Sequence, residues 1–323
     1  MPQEVYAFRS NDLHLMQATS GGAFMAIAES FFQMYIPKAH VYGVTFDKDL
    51  HVTYDMADNL CDCRKFSGSK YVRSRMNGVF HRVLRDLDGG IAVLFTGTPC
   101  CVAALQQFLV LHGADTETLF CVDLICHGTP RPEFWETYKN WLQKKYKSSL
   151  VGFEFRTHGI GKTGYSCSAT FANGKTYSNI LAIQVYNRLF LRRYLFFEGC
   201  FRCRHACLAR RGDLTIGDFW GIAQTMPQFP FRQDVSEILV NSAKGKTLLQ
   251  SILDVAMQRG HCISPCTSNE YIKYQNNLQR PADKPPDFDQ FQKDFKTKDF
   301  SFVAAKYAGY DLPHRARFFL FGK

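Results

Sequence analysis

Ile91-Ala-Val-Leu-Phe95, Thr96-Gly-Thr-Pro99 and the apolar stretch that opens at Cys100 and runs toward Val110 read in order as strand, tight turn and helix. Leu119-Phe-Cys-Val-Asp-Leu124 then resumes the strand pattern. A strand, a loop, a helix and a second strand in that order favour α/β packing over a sandwich or a bundle.

The same order extends outward. Upstream, Ser20-Gly21-Gly22 precedes a helix over Ala23 to Phe32, followed by a strand around His40 to Phe46, a turn at Asp47-Lys-Asp49 and a helix from Arg75 to Leu87 that stops at Gly89-Gly90. Downstream, Pro132 to Tyr146 has the spacing of an amphipathic helix, while Leu150 to Arg156 and Ser166 to Phe171 read as strands. Asn173-Gly174 is a hairpin turn into Lys175 to Ser178. Asp213 to Gly217 and Ile238 to Val240 read as further strands, and Ser242 to Gln258 as a helix. Pro281, Pro285 and Pro286 mark a break before a segment that is helical in pieces. The expected fold is α/β, a mixed sheet flanked by helices, with residues 1–280 as one module and 281–323 as a C-terminal helical arm packed on it.

With 323 residues and 46% hydrophobic content, the chain can bury a substantial core. The opening Met-Pro-Gln-Glu lacks the basic and then apolar order of a signal peptide, and no run of about 18 residues is apolar enough for a membrane helix. A cytoplasmic protein is expected. The net charge of +10 is concentrated in two places. Residues 64 to 85 carry Arg64, Lys65, Lys70, Arg73, Arg75, Arg82 and Arg85 with no acid, and residues 188 to 211 carry seven arginines with Glu198 as the only acid. Such clusters form either solvated surface or a face for phosphates, anionic substrates or an acidic partner. No zinc-finger spacing or interleaving of aromatic and basic residues points to nucleic acid.

The turns carry the chemistry. Thr96-Gly97-Thr98-Pro99-Cys100 lets an anion approach backbone amides at a helix start, where a thiolate is also favoured. Ser20-Gly21-Gly22 offers a second such start. Lys244-Gly-Lys-Thr247 fails the phosphate-loop pattern, because Val240 stands where the earlier glycine is required, and a capped helix explains it better. Gly159, Gly161 and Gly164 make a loop beside Arg156, His158 and Lys162, suited to a surface crossing or to closure over a substrate. His127 is a ligand, an acid/base group or a loop histidine held by backbone contacts. Asp218, in Gly217-Asp-Phe-Trp-Gly221, suits a polar cofactor contact, with Phe219 and Trp220 as cover or core.

Twelve cysteines in a chain expected in the cytoplasm have little reason to be stored as disulfides. Cys200-Phe-Arg-Cys203 has the close spacing that holds soft metals or exchanges disulfides, and Cys207 extends the local set. Cys100 and Cys126, in Asp123-Leu-Ile-Cys-His-Gly128, each follow an apolar strand, so the sheet can bring them to one edge. A four-thiolate cluster, a structural zinc ion and uncoordinated redox thiols all fit that pattern.

Taken together and in order, Ser20-Gly21-Gly22, Ser69-Lys70-Tyr71-Val72, Thr96-Gly-Thr-Pro-Cys100, Asp123-Leu-Ile-Cys-His-Gly128, Cys200-Phe-Arg-Cys203 and Gly212-Asp-Leu-Thr-Ile-Gly-Asp-Phe-Trp-Gly221 resemble the coenzyme F420 hydrogenase/dehydrogenase beta-subunit family over nearly the whole chain. The resemblance implies an iron-sulfur flavoprotein with FAD beside a 4Fe-4S cluster. It implies Cys100, Cys126, Cys200 and Cys203 as cluster ligands with Cys207 as the substitute. Ser20, Gly21, Gly22, Lys70, Thr96, Gly97, Thr98, His127 and Asp218 are the implied cofactor contacts, and Arg156 and Lys162 those of an anionic small molecule or coenzyme.

Many relatives begin with a ferredoxin-like segment, whereas this chain starts almost at the catalytic module, so a separate ferredoxin-like electron carrier is expected; a homo-oligomer is also compatible. Phe196-Phe-Glu-Gly199 replaces the proline and serine usual before the close cysteine pair. The expected activity is transfer of electrons between a one-electron carrier and a hydride donor or acceptor through both cofactors. The alternatives are a flavin-dependent reductase of a small molecule in carbohydrate metabolism and a non-catalytic iron-sulfur interaction subunit.

Overall fold

The apolar run at residue 91 becomes the middle of a sheet. The computed structural model describes residues 2, 4–11, 20–157 and 166–311. In chain order, β1 (Glu4–Arg9) is followed by α1 (Ala23–Tyr35), β2 (Ala39–Phe46), β3 (Val52–Ala57), α2 (Val79–Asp88), β4 (Ala92–Gly97), α3 (Pro99–Leu111) and β5 (Leu119–Leu124). Then come α4 (Pro132–Tyr146), β6 (Leu150–Thr157), β7 (Ser166–Phe171), β8 (Thr176–Ser178), α5 (Leu181–Leu191), β9 (Leu214–Asp218) and α6 (Ile222–Thr225). The chain continues through β10 (Ser236–Val240), α7 (Ala243–Arg259), β11 (Cys262–Pro265), α8 (Tyr271–Tyr274), α9 (Phe288–Thr297) and α10 (Phe300–Ala308).

Eight strands form one sheet in the order β11-β1-β10-β9-β5-β4-β2-β3. Its middle, β2, β4, β5 and β9, is parallel, and both flanks are antiparallel. Successive residues alternate between faces, so Leu94 joins a core with α1 and α7 while Val93 and Phe95 join a second core with α2 and α3. Each of these side chains is fully buried, which stabilises the fold by about 1.5–3 kcal/mol apiece. The mixed sheet flanked by helices is as expected.

β6, β7 and β8 form a separate three-stranded antiparallel sheet. Its core, with Phe153, Phe155 and Phe171, takes in Trp135 and Tyr138 of α4, Tyr186 of α5, and Phe291, Phe300, Val303 and Tyr307 of α9 and α10. The described part of the C-terminal segment is thus helical and packed back. The Trp135 indole N–H donates to the Leu50 carbonyl at 2.7 Å, tying α4 to the β2–β3 turn. No helix among the described residues is long and apolar enough to cross a membrane.

Several elements differ from the sequence reading for local reasons. The helix expected from Arg75 begins at Val79, because the Arg75 N–H donates to the Val52 carbonyl at 2.8 Å and Asn77 and Gly78 both take left-handed φ angles (44° and 67°). Lys244-Gly-Lys-Thr247 is indeed the first turn of a capped helix: Ser242 Oγ accepts from the Gly245 N–H at 3.0 Å. β1, β3, β11 and α5 had no counterpart in that reading.

Candidate functional site

In an open sheet with a parallel middle, ligands collect beyond the carboxyl ends of the parallel strands. β4 ends at Gly97, β5 at Leu124 and β9 at Asp218, and the loops after them line one cavity of about 870 Å³. That volume falls within the ~300–1,000 Å³ typical of cofactor pockets. Ser20, Gly22, Lys70, Thr96, Gly97, Thr98, His127, Asp218, Arg156, Cys100 and Cys126 all line it. Gly21 does not. A Cβ there would meet the Phe8 carbonyl oxygen at 2.2 Å and the Ser236 nitrogen at 2.5 Å, so Gly21 serves close backbone packing behind the wall. Lys162 and His158 lie outside the described residues.

The thiols converge. Cys100 is exposed in the first turn of α3, behind Pro99, with Thr98 Oγ1 at 3.3 Å from its sulfur. Cys126 follows β5. Burial first, and then the negative charge of Cys100, push its thiol up to about 12, with Cys200 and Cys203 adding to the rise and the Gly128 N–H, donating to its sulfur, opposing it. Burial also raises Cys203, whose sulfur accepts from the His205 and Ala206 N–H groups and feels Cys100 and Cys200. Three separate loops therefore bring four sulfurs within electrostatic reach. Cys207 turns elsewhere: its thiol donates to the Arg204 carbonyl at 3.4 Å and the Ala209 carbonyl at 3.6 Å.

Two of these loops are zipped together. Pro130 and Phe196 form an isolated antiparallel bridge, the Phe197 N–H donates to the Thr129 carbonyl at 3.1 Å and the Cys200 N–H to the Phe197 carbonyl at 2.9 Å. Gly128 sits at φ +141°, and a Cβ on it would meet the Phe196 ring at 2.4 Å, so only glycine fits between the Cys126 loop and the Cys200 turn. From below, buried Asp123 fixes the third loop. It pairs with buried Arg210 at 2.8 Å and accepts from the Arg211 N–H and the Gly212 N–H, both at 3.0 Å, and from Thr215 Oγ1 at 2.6 Å. Arg210 in turn donates to the carbonyls of His205 and Cys207.

Among the described residues, no three of these thiols bring their sulfurs within 4.8 Å of one another. A single tetrahedral zinc ion, with Zn–S near ~2.3 Å, needs them closer than that. A cubane that takes one thiolate per iron spaces its ligands more widely, and the donor set suits it: four thiols, one exposed and three partly buried, with N–H donors aimed at two sulfurs.

The remaining wall is polar at defined points. Arg156 pairs with Asp218 at 2.8 Å, so the two residues read separately from sequence neutralise each other. The Lys70 ammonium donates to the carbonyls of Lys65, Phe66, Ser67 and Gly68, from 2.7 to 3.3 Å, and desolvation pulls its pKa down to about 7. Lys70 thus organises the Ser67–Ser69 turn that lines the cavity. At pH 8 the amine is largely neutral, so Lys70→Met removes hydrogen bonds without relieving a buried charge. A loss of about 1–3 kcal/mol is expected there in urea denaturation. Wild-type stability rises with pH from about 7 toward the unfolded value, because the unfolded chain binds the proton that the fold excludes, so the gap to the variant narrows as pH falls toward 7.

His127 packs edge-on to Phe196 and Phe190, with Nδ1 3.4 Å from Asn277 Oδ1. Phe219 is core, while half-exposed Trp220 stands at the cavity rim. Sequence reasoning gave no individual role to Arg73, Tyr71, Gln275 or Asn277, which also line the cavity. Arg73 lay in the acid-free basic run and stacks on Phe197 at 4.9 Å, but no motif marks Gln275 or Asn277.

A family model for the C-terminal region of the beta subunit of coenzyme F420 hydrogenase/dehydrogenase matches residues 91–259, more than half of the chain. Among solved structures, the chain resembles one from the F420-reducing NiFe hydrogenase complex of Methanosarcina barkeri, with a TM-score of 0.53 and 16% sequence identity over 85% of this chain and 87% of that one. At that identity the likeness is one of fold. No curated protein sequence matches.

Proposed function

Because this chain belongs to the coenzyme F420 hydrogenase/dehydrogenase beta-subunit family, we propose that it is an iron-sulfur flavoprotein oxidoreductase working in the cytoplasm. The single observation that carries this reading is the convergence of Cys100, Cys126, Cys200 and Cys203 at the carboxyl ends of parallel strands, on the edge of a cofactor-sized cavity.

FAD in the cavity would exchange a hydride with an anionic small molecule or coenzyme, and a 4Fe-4S cluster would pass the two electrons singly to or from a separate ferredoxin-like carrier, the proton exchanging with solvent. The four cysteines hold and tune the cluster. Burial first, and then the charges of the neighbouring thiolates, raise the Cys126 and Cys203 thiols, and bound iron would offset that repulsion. The turns at Ser20, Gly22, Ser67–Lys70 and Thr96–Thr98 would hold the flavin with backbone groups, and His127 and Asp218, which line the same cavity, would contact it. Arg156 is already paired, so the substrate's anionic portion is shared between Arg156, Lys162 and Arg73, the last having no ion pair among the described residues. Exposed Arg202, Arg204 and Arg211 flank the thiol loop and attract an acidic carrier, an association that weakens as salt rises. On this reading residues 1–280 are the catalytic module, and the described part of the segment that begins at 281 is the arm that braces it.

Anaerobic purification followed by iron, acid-labile sulfide and flavin analysis tests the reading. The expected result is about four irons and four sulfides with one flavin per chain, and flavin bleaching by a hydride donor. A cluster without flavin or turnover would instead mark an interaction subunit, and zinc without sulfide would mark a scaffold.

A further inference from the structure

Glu237 is the second residue of β10 and fully buried, and among the described residues no cation pairs with it. Its neighbours across the sheet are Ala7 on β1 and Gly217 on β9. The titratable groups facing it are Tyr271 and Cys266, both raised by burial and then by Glu237 itself, while Arg9, on the same face of β1 two residues beyond Ala7, stacks on the Phe231 ring at 4.0 Å. Among the described residues no ion pair involves it. One carboxyl oxygen accepts from the Gln275 side-chain amide, and the other is buried without a partner. The same Gln275 nitrogen donates to the Asp218 carbonyl at 2.8 Å, and Gln275 lines the cavity. Arg156, the cation beside the β9 exit, is engaged by the Asp218 side chain.

We propose that Glu237 is a positioning residue that works in its neutral form: its carboxyl group locks the Gln275 amide against the β9 exit, and ionisation unlocks it, so the cavity grips its flavin at and below neutral pH and releases it in alkaline solution. The flavin part of this rests on the function proposed above. The physical reason is that an ionised carboxylate buried with an unpartnered oxygen must recover solvation by moving. Burial pushes the Glu237 carboxyl up to about 8, with the Gln275 bond opposing, which agrees with the geometry.

Two measurements on the full-length protein decide it. The first is titration with FAD, followed by flavin fluorescence, from about pH 6.5 to 9.5. The wild-type dissociation constant should be level below about pH 8 and rise toward tenfold per pH unit above it. Glu237→Gln should keep the neutral-pH affinity and lose the alkaline decline, while Gln275→Leu should bind weakly at every pH with a flat profile. A level wild-type profile, or an alkaline decline that survives in Glu237→Gln, overturns the proposal.

The second measurement needs no ligand. The fold keeps a proton that the unfolded chain releases above its ordinary carboxylate range, so wild-type stability should fall relative to Glu237→Gln as pH rises from about 5 to 8. Parallel stability profiles overturn the neutral assignment whether or not flavin binds. The expected stability signature with no FAD binding at any pH would leave Glu237 neutral, but overturn the flavin reading and the grip assigned to it.

Discussion

Asp123→Ala is expected to destabilise the protein by about 3–5 kcal/mol, read as a lower urea midpoint, and, on the proposed function, to strip it of bound iron. Asp123 and Arg210 are both essentially without solvent exposure, so removing the carboxylate leaves a guanidinium in the core with its charge uncompensated. The same change orphans the N–H groups of Arg211 and Gly212 and the Thr215 hydroxyl. The effect should reach the thiols along a short path. Asp123 stands three residues before Cys126, and Arg210 holds the carbonyls of His205 and Cys207 in the loop after Cys203. A double-mutant cycle with Arg210→Met separates the two consequences. If the buried charge dominates, the double variant recovers stability relative to Asp123→Ala while remaining poor in iron, because the stitch from β5 to the thiol loop is still missing. An unchanged midpoint in the single variant would mean that the pair is replaceable by neighbouring polar groups.

That pair also shows where the sequence stops being legible. The strand, turn and helix order from Ile91 to Leu124 was readable because each element's apolar spacing is local, and it sufficed to place Cys100 and Cys126 at one sheet edge. The Asp123–Arg210 and Arg156–Asp218 partnerships join residues far apart in the chain, and no spacing rule encodes which acid meets which base. β1 was unreadable for a related reason. It sits between β10 and β11, so its place is set by partners more than two hundred residues away. Lys70 was legible as a cavity residue but not in its role, since the four carbonyls that claim its amine are made available only by the 3-10 turn at Asp62–Phe66 and the loop that follows. Glu237 gave no signal, because in a strand pattern an acid reads as solvent-facing and only the added β1 and α8 layers bury it.

The same contrast between local spacing and tertiary placement yields the second large effect. On the proposed function, Cys126→Ser should abolish the broad visible absorption of the proposed cluster and bring bound iron close to zero, whereas Cys207→Ser should leave both nearly unchanged. By spacing Cys207 extends the local set, only four residues from Cys203. By geometry it is the weaker ligand, because its thiol is held by the Arg204 and Ala209 carbonyls of its own loop, and the charges that raise Cys126 and Cys203 come from Cys100, Cys200 and each other's neighbourhood. Serine keeps the volume and removes the soft donor, so the comparison isolates ligation from packing. Cys126 is also the position at which substitution by an adjacent thiol is hardest, since the Gly128–Phe196 contact fixes the loop behind it. Iron and sulfide content after anaerobic reconstitution reads the result directly: equal losses in the two variants would put Cys207 in the ligand set and require the 203–211 loop to rearrange around the Asp123–Arg210 anchor when iron is bound.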